Sequence, residues 1–230
     1  MPMLPPPWLA VAAAATTPSK ITIEMVSDVV CPYCYIGLHR LQKALAATSS
    51  HADQVEIKFT PFILRRHLPK EGVAKHEVFR RQFGDASRGA RMLAQVEATA
   101  AADGLTFNLT NQRAGNSEDA HRLLLWSGTH VMNLSHSMMR AYNEEQGWLG
   151  DHAVLLSTVQ RTTGLDADEA ARVLADPTAH AEELEAGLRR AHELGVTGVP
   201  AYFVNGQLLG SGALSEGALR SVIEHSCAAT

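Results

Sequence analysis

Residues 21–38, ITIEMVSDVVCPYCYIGL, join an alternating segment to a helical one through a pair of cysteines. The first five residues alternate between apolar and polar side chains, which predicts a β-strand. Beyond the cysteines, apolar residues recur every three or four positions as far as Ala47, which predicts a helix. Pro32 suits the first turn of that helix, where a missing N–H group is no loss. The stretch therefore predicts a strand and a helix with Cys31 and Cys34 at their junction.

The positions of the two cysteines predict different chemical roles for them. The N-terminus of a helix carries unpaired backbone N–H groups and the positive end of the helix dipole, which favour a thiolate at Cys31. Cys34 follows about one turn later, within reach of a disulfide to Cys31 but more enclosed. Thiol–disulfide exchange requires an exposed nucleophilic thiolate and a second thiol that resolves the mixed disulfide. We therefore predict that Cys31 is the nucleophile and Cys34 the resolving thiol.

The same pair of cysteines would be half of a zinc site if two further ligands lay nearby. Cys227 is the only other cysteine in the chain, and the histidines show no spacing typical of metal ligands. We therefore predict no metal site. Cys227 is expected to be a spare thiol, with participation in a further redox exchange as the alternative.

The rest of the chain predicts a sheet that is interrupted by helices. A second strand is predicted over residues 55–59, and a hairpin over residues 202–209 turns at Asn205-Gly206, a pair that readily adopts positive φ. A last helix starts at Ser215. Helical patterns dominate the middle of the chain: Ala86 to Ala102, Ser117 to Gln146 with a break at Gly128, Asp151 to Thr163, one opened by Asp166, and one from Asp176-Pro177 to Gly195.

These patterns predict an α/β fold in which one large, all-helical insertion lies between the second and third strands of a four-stranded sheet. Residues 21–65 and 195–230 would form the sheet domain, and residues 66–194 would form the insertion. Residues 1–20, rich in Pro and Ala, cannot pack a core and are predicted to be a disordered arm. No basic segment precedes their apolar stretch, so we expect a reducing, cytoplasmic location, with export as the alternative.

Composition and charge exclude several classes of protein. The chain has 230 residues, of which 46% are hydrophobic and 19% charged, as in a soluble globular protein. A formal net charge of −4 and the lack of a basic run argue against a nucleic-acid partner. No stretch approaches the roughly 18 to 20 apolar residues that a membrane span requires. The oligomeric state does not follow from the sequence.

The cysteine motif, together with the Gly198-Val199-Pro200 segment that leads into the hairpin, resembles the DsbA-like branch of the thioredoxin superfamily. Within that branch a larger set of positions is similar to the FrnE-like disulfide oxidoreductases: Asp28, Cys31, Pro32, Cys34 to Gly37, Asn116, and Ala120 to Leu123. The resemblance covers about residues 21–227, nearly the whole chain.

This resemblance implies a thioredoxin fold and an enzyme that catalyses disulfide exchange or isomerisation on proteins. It also implies a cis peptide bond between Val199 and Pro200, which would face the cysteines and bind an extended substrate. No cofactor is implied beyond the redox-active pair Cys31 and Cys34, and glutathione is a candidate reductant. The partner would be a protein or a small molecule that carries a thiol or a disulfide.

Residues around the cysteines predict how strongly oxidising the pair is. The Pro32-Tyr33 dipeptide resembles that of glutaredoxins, whereas the strongest oxidants of the family carry Pro-His. Because Tyr33 is neutral, we expect a pKa of Cys31 that is lowered less than at a Pro-His site, and a less oxidising couple. Asp28 would oppose the lowering if it lay close, but a turn residue that faces water is the simpler interpretation. Glu24 is either a buried proton acceptor for Cys34 or a surface carboxylate.

Two other functions remain open at this point. Kappa-class glutathione transferases and 2-hydroxychromene-2-carboxylate isomerases resemble this architecture, but they usually carry serine where this chain has Cys31. A binding or chaperone module would keep the fold while the cysteines stay idle. The Cys31–Cys34 pair favours the oxidoreductase over both alternatives, since neither needs two cysteines at a helix start. The sequence does not indicate the client, the direction of electron flow or the reductase that recycles the pair.

Overall fold

The computed structural model of the protein describes residues 20–109 and 112–228, which form six strands and nine α-helices. The strands are β1 (Ile21–Ser27), β2 (Val55–Pro61), β3 (Val73–Ala74), β4 (Arg113–Ala114), β5 (Ala201–Val204) and β6 (Gln207–Ser211). The helices are α1 (Pro32–Ala47), α2 (Lys75–Phe83), α3 (Ala86–Ala102), α4 (Glu118–Trp126), α5 (Val131–Asn143), α6 (His152–Thr163), α7 (Ala167–Ala175), α8 (Ala181–Glu193) and α9 (Glu216–Ala228). The predicted N-terminal arm lies outside the described residues, apart from Lys20.

The central sheet has four strands in the order β2-β1-β5-β6. Strand β1 runs parallel to β2 and antiparallel to β5, and β5 and β6 form the predicted hairpin. Asn205 and Gly206 adopt φ angles of 49° and 81° at its turn, the conformation that an Asn-Gly pair supplies at low cost. The strand–helix–strand start and the hairpin–helix end of the chain are thus confirmed.

The two faces of the sheet are covered by different helices. Ile23 and Met25 of β1 belong to the main apolar core together with α1 and α9, which pack against each other. Val26 and Phe203 point to the other face, where they pack with Ala191 of α8. Alternation along β1 therefore serves two buried faces, since successive side chains of a strand point in opposite directions.

The segment between β2 and β5 contains helices α2 to α8, as predicted for the insertion. The predicted break at Gly128 is confirmed, because a short 3₁₀ helix, Gly128–His130, separates α4 from α5. A two-residue ladder between β3 and β4 is an addition that the sequence pattern does not predict. No helix among the described residues is long and apolar enough to cross a membrane.

The predicted start of α8 at Asp176-Pro177 is wrong by four residues. The Asp176 carboxylate accepts a hydrogen bond from the N–H of Thr178, which stabilises a turn rather than the first turn of a helix. His180 then adopts a left-handed φ of 57°, and the helix begins at Ala181. A left-handed residue cannot lie inside a right-handed helix, so the two segments are separate.

Candidate active site

The two cysteines lie where β1 leads into α1. Cys31 is the N-cap residue of α1, Pro32 occupies the first turn, and Cys34 lies one turn along. Both are free thiols. Cys34 is completely buried and Cys31 is only 5% exposed, so Cys31 is less accessible than the exposed thiolate that the sequence predicts. Tyr33, at 37% exposure, is the most accessible side chain of the motif.

The environment moves the pKa values of the two thiols in opposite directions. The pKa of Cys31 is lowered because the Cys34 side chain donates a hydrogen bond to its sulfur and the N–H groups of Cys34 and Tyr33 add to the effect, which together outweigh burial. The pKa of Cys34 is raised well above its ordinary value by burial and by the neighbouring Cys31 sulfur. A thiolate is therefore favoured at Cys31 and a thiol at Cys34.

The loop before β5 lies against the first cysteine. The Cys31 thiol donates to the carbonyl oxygen of Val199 over 3.6 Å, and the peptide bond between Val199 and Pro200 is cis. Gly37 of α1 allows this close packing, because a Cβ there would overlap the Tyr202 hydroxyl and approach Pro200 Cγ to 3.3 Å. The structure thus brings together the four residues to which the resemblance assigns catalysis and substrate binding.

Asp28 does not face water, so the interpretation as a solvated turn residue is wrong. Its side chain is fully buried. Its carboxylate accepts hydrogen bonds from Val30 N at 3.3 Å, Leu64 N at 2.8 Å and Ser117 Oγ at 2.8 Å. His121 Nε2 lies 3.4 Å from the same carboxylate. The negative charge of Asp28 acts to raise the pKa of Cys31, against the net lowering.

Nothing in the sequence indicates that Ser117 and His121 lie against Asp28. Ser117 precedes α4 and His121 lies four residues later, so both project from one side of the same helix start. His121 Nε2 also lies 3.1 Å from the carbonyl oxygen of Phe62. The spacing of the two residues was visible in the sequence, but nothing there showed that the insertion folds back onto the end of β1.

Glu24 lies on the opposite face of β1 from Cys34. Its carboxylate accepts hydrogen bonds from Thr60 Oγ1 at 2.6 Å and from Arg190 Nη2 at 3.2 Å. Burial raises the pKa of Glu24, but these two hydrogen bonds, together with the charges of Arg190 and Lys58, outweigh it and hold that pKa below its ordinary value. Glu24 is thus a buried, paired carboxylate, which matches neither interpretation from the sequence.

Near the site lies a buried amine, Lys75, whose burial the sequence does not indicate. Its side chain is 4% exposed, and Nζ donates to Gln112 Oε1 at 2.5 Å. Nζ also lies 5.0 Å from the ring centroid of Tyr142. Burial lowers the pKa of Lys75 to about 7. A lysine at the first position of a helix is usually exposed, so the sequence does not predict this burial.

Cys227 lies in α9 within the main core, and burial raises the pKa of its thiol. Across residues 20–109 and 112–228, no group of three or more His, Cys, Asp or Glu side chains is arranged to hold a metal ion.

The family model for the DSBA-like thioredoxin domain matches residues 22–224. A probable DsbA oxidoreductase from Streptomyces coelicolor is similar over 91% of each chain, at 30% identity and a TM-score of 0.82. No curated protein gives a significant match.

Two more distant structures share the fold alone. The cytosolic disulfide reductase DsbM from Pseudomonas aeruginosa, in a structure with GSH, is 17% identical at a TM-score of 0.61 and covers 90% of this chain and 99% of its own. A 2-hydroxychromene-2-carboxylate isomerase is 15% identical at a TM-score of 0.64 and covers 90% of this chain and 96% of its own.

Proposed function

Because the chain belongs to the family of DSBA-like thioredoxin domains, we propose that it is a thiol–disulfide oxidoreductase that exchanges disulfides through Cys31 and Cys34. The observation that carries this proposal is the contrast between the two thiols. A lowered pKa at the helix N-cap and a raised pKa one turn later are what a nucleophile and a resolving thiol require.

In the first step the Cys31 thiolate attacks one sulfur of a substrate disulfide. A bond forms between Cys31 Sγ and that sulfur, the substrate disulfide breaks, and the other substrate sulfur leaves with the electron pair as a thiolate. The N–H groups at the start of α1, which favour the Cys31 thiolate, also favour its departure in the reverse reaction.

In the second step Cys34 attacks Cys31 Sγ. The Cys31–Cys34 disulfide forms, the remaining substrate sulfur leaves as a thiolate, and the Cys34 proton passes to solvent. Two electrons thereby pass from the protein dithiol to the substrate. Complete burial keeps Cys34 away from other disulfides, which restricts it to this internal attack. A thiol-bearing substrate would reverse both steps if the protein began as the disulfide.

The loop at Val199 and Pro200 supports a role in holding the substrate. The Val199 carbonyl oxygen accepts a hydrogen bond from the Cys31 thiol, so this carbonyl lies beside the attacking sulfur. An extended substrate segment that pairs with this backbone would place its sulfur near Cys31. Val199 and Pro200 are therefore the proposed substrate-binding residues, with Asp28, Pro32 and Tyr33 as their surroundings.

We infer a FrnE-like enzyme that works in the cytoplasm. Its oxidising power should be moderate, because the neutral Tyr33 supplies no positive charge to Cys31. The DsbM structure that contains GSH shares this fold, which makes glutathione a reasonable reductant to test for recycling. Retention of both cysteines favours this function over glutathione-dependent isomerisation, for which the second cysteine would be unnecessary.

The test compares single cysteine variants in insulin reduction with dithiothreitol. Cys31→Ser should abolish the activity, and Cys34→Ser should accumulate a mixed disulfide that mass spectrometry detects. Cys227→Ser is the matched control and should keep the activity. Full insulin reduction by Cys31→Ser, or glutathione-dependent isomerase activity without disulfide exchange, would overturn the proposal.

A further inference from the structure

A cavity of about 150 Å³ opens beside the cysteine motif and is lined by two basic side chains, Arg65 and Lys75. We propose that this cavity binds a low-molecular-mass disulfide or thiol through an organic group that carries a carboxylate on an apolar body. The inference rests on the proposed exchange at Cys31 and names its substrate class.

The position of the cavity ties it to the nucleophile. Val30 and Pro32, the residues on either side of Cys31, line it together with the exposed Tyr33. The opposite wall comes from the helical insertion. A ligand that fills the cavity would therefore hold its sulfur next to the cysteine motif.

Neither cation of the cavity is neutralised by a carboxylate. Within the described part of the chain, no carboxylate lies within 4 Å of the Arg65 guanidinium or of Lys75 Nζ, although the charge of Glu97 acts on Lys75 from farther away. Arg65 instead lies 5.6 Å from the ring centroid of Phe79. Lys75 donates to the neutral amide of Gln112. The positive charge of Arg65 in the cavity is therefore uncompensated, and Lys75, whose pKa burial lowers to about 7, adds a second positive charge whenever it is protonated.

The other walls of the cavity are apolar, with Phe79, Met92, Leu93 and Val96 among them. A neutral apolar ligand would leave the two cations without a counter-charge, and a fully polar ligand would bury its polar groups against hydrocarbon. A carboxylate on an apolar body satisfies both parts of the surface. A volume of about 150 Å³ holds a group the size of one benzene ring, which is smaller than a folded client.

The bound group takes part in the exchange as follows. The Cys31 thiolate attacks the sulfur that bears the group in the cavity, the ligand disulfide breaks, and the other half leaves as a thiolate. Cys34 then attacks Cys31 Sγ, loses its proton to solvent, and releases the bound half as a second thiolate. The protein dithiol is oxidised by two electrons and the ligand disulfide is reduced by two electrons.

The experiment compares two aromatic disulfides in single turnovers of the pre-reduced full chain. 5,5′-Dithiobis(2-nitrobenzoate) carries carboxylates, and 4,4′-dithiodipyridine does not. Stopped-flow absorbance yields a second-order rate constant for each, and their ratio cancels changes in the reactivity of Cys31 itself. In the Arg65→Met/Lys75→Met double variant the ratio of anionic to neutral probe should fall about tenfold. Added salt should lower the wild-type ratio.

Arg66→Gln is the matched control, because the neighbouring Arg66 is exposed and paired with Glu185. It should leave the ratio unchanged. Arg65→Met alone, at a half-buried position, should lower the ratio even if the double variant does not fold. An unchanged ratio in the Arg65 and Lys75 variants would overturn the cavity proposal while leaving exchange at Cys31 intact. Failure of the wild type to react with the neutral probe would overturn the proposed function, and this inference with it.

Discussion

The junction of α4 with α7 and the edge of the sheet at Cys31 both bury charge, but they satisfy it in different ways. At the junction, Asp119 lies between two cations, Lys70 Nζ at 2.7 Å and Arg122 Nη2 at 2.9 Å, and the His152 ring, with Nε2 at 3.1 Å. Arg122 also donates hydrogen bonds to carbonyl oxygens at the end of α7, including that of Val173 at 2.8 Å. The charges in this region cancel within a few ångströms.

At the cysteine edge, the buried charges have mostly neutral partners. The Asp28 carboxylate accepts hydrogen bonds from two backbone N–H groups and from Ser117, and His121 Nε2 lies 3.4 Å from it. Lys75 donates to the amide oxygen of Gln112. Neutral dipoles stabilise a buried charge without cancelling its field at a distance. Asp28 and Lys75 can therefore influence Cys31, whereas Asp119 stabilises the insertion.

The largest expected effect is that of Asp119→Ala on stability. It would leave Arg122, which is 1% exposed, buried without its counter-charge, and we expect the free energy of unfolding to fall by about 3 to 5 kcal/mol. The pKa of Cys31 should not change. Urea denaturation at pH 7 and thiolate absorbance against pH measure the two quantities. Glu169→Ala, which removes an exposed pair with Arg172, is the control and should cost less than about 1 kcal/mol.

The same cluster predicts a pH dependence. Burial raises the pKa of Asp119, but hydrogen bonds from Lys70, Arg122 and His152 outweigh it and lower that pKa to about 2, against 3.8 ordinarily. A lowered pKa contributes stability above the ordinary value and loses it as the pH falls towards the folded value. The difference between wild type and Asp119→Ala should therefore shrink from pH 4 to pH 2. A constant difference would contradict the ion-pair assignment.

Asp28→Asn should have a smaller effect on stability but a direct effect on the pKa of Cys31. The negative charge of Asp28 opposes the Cys31 thiolate, so its removal should lower the pKa of Cys31 further. An amide facing buried donors leaves polar groups unsatisfied, at a cost of about 1 to 3 kcal/mol. Absorbance titration of the thiolate measures the pKa. Glu24→Gln, on the opposite face of β1, is the matched control, and an equal shift there would remove the distinction between the two carboxylates.

Lys75→Met should show the smallest effect, visible as a slope with pH. Burial lowers the pKa of Lys75 in the folded protein to about 7, against 10.5 ordinarily. Between these values the unfolded chain binds the proton that the folded protein has released, so stability from this group rises with pH. Relative to Lys75→Met, the wild type should gain about 1 kcal/mol per pH unit above pH 7. Urea denaturation of both proteins at pH 7, 8 and 9 checks this, and a difference that does not vary with pH would contradict it.

Local signals in the sequence were sufficient for the elements that carry the cysteines. Alternation predicted β1, Pro32 and the apolar spacing predicted the start of α1, and Asn205-Gly206 predicted the hairpin turn. Each of these signals acts over a few residues, where backbone preferences and side-chain periodicity decide the outcome. The start of α8 was misplaced because an Asp-Pro pair also opens turns.

The surroundings of the cysteines depend on contacts that no local signal describes. Ser117 is 89 residues from Asp28 in the chain, yet its hydroxyl donates to that carboxylate. Lys75 looks like a surface residue in the sequence and is buried only because α2 packs near Tyr142. Such contacts form when the insertion folds back onto the sheet, and their geometry follows from the packing of the whole domain.

The sequence by itself therefore determined the fold class and the position of Cys31 and Cys34 at a helix start. The reason is that strand alternation, helix periodicity and capping depend on residues that are close together in the chain. Only the tertiary structure decided that Asp28 is buried, that Glu24 faces away from the cysteines and that two cations share a cavity beside Cys31. The physical reason is that electrostatic influence and desolvation depend on distance in space, and the groups concerned come from segments far apart in the chain.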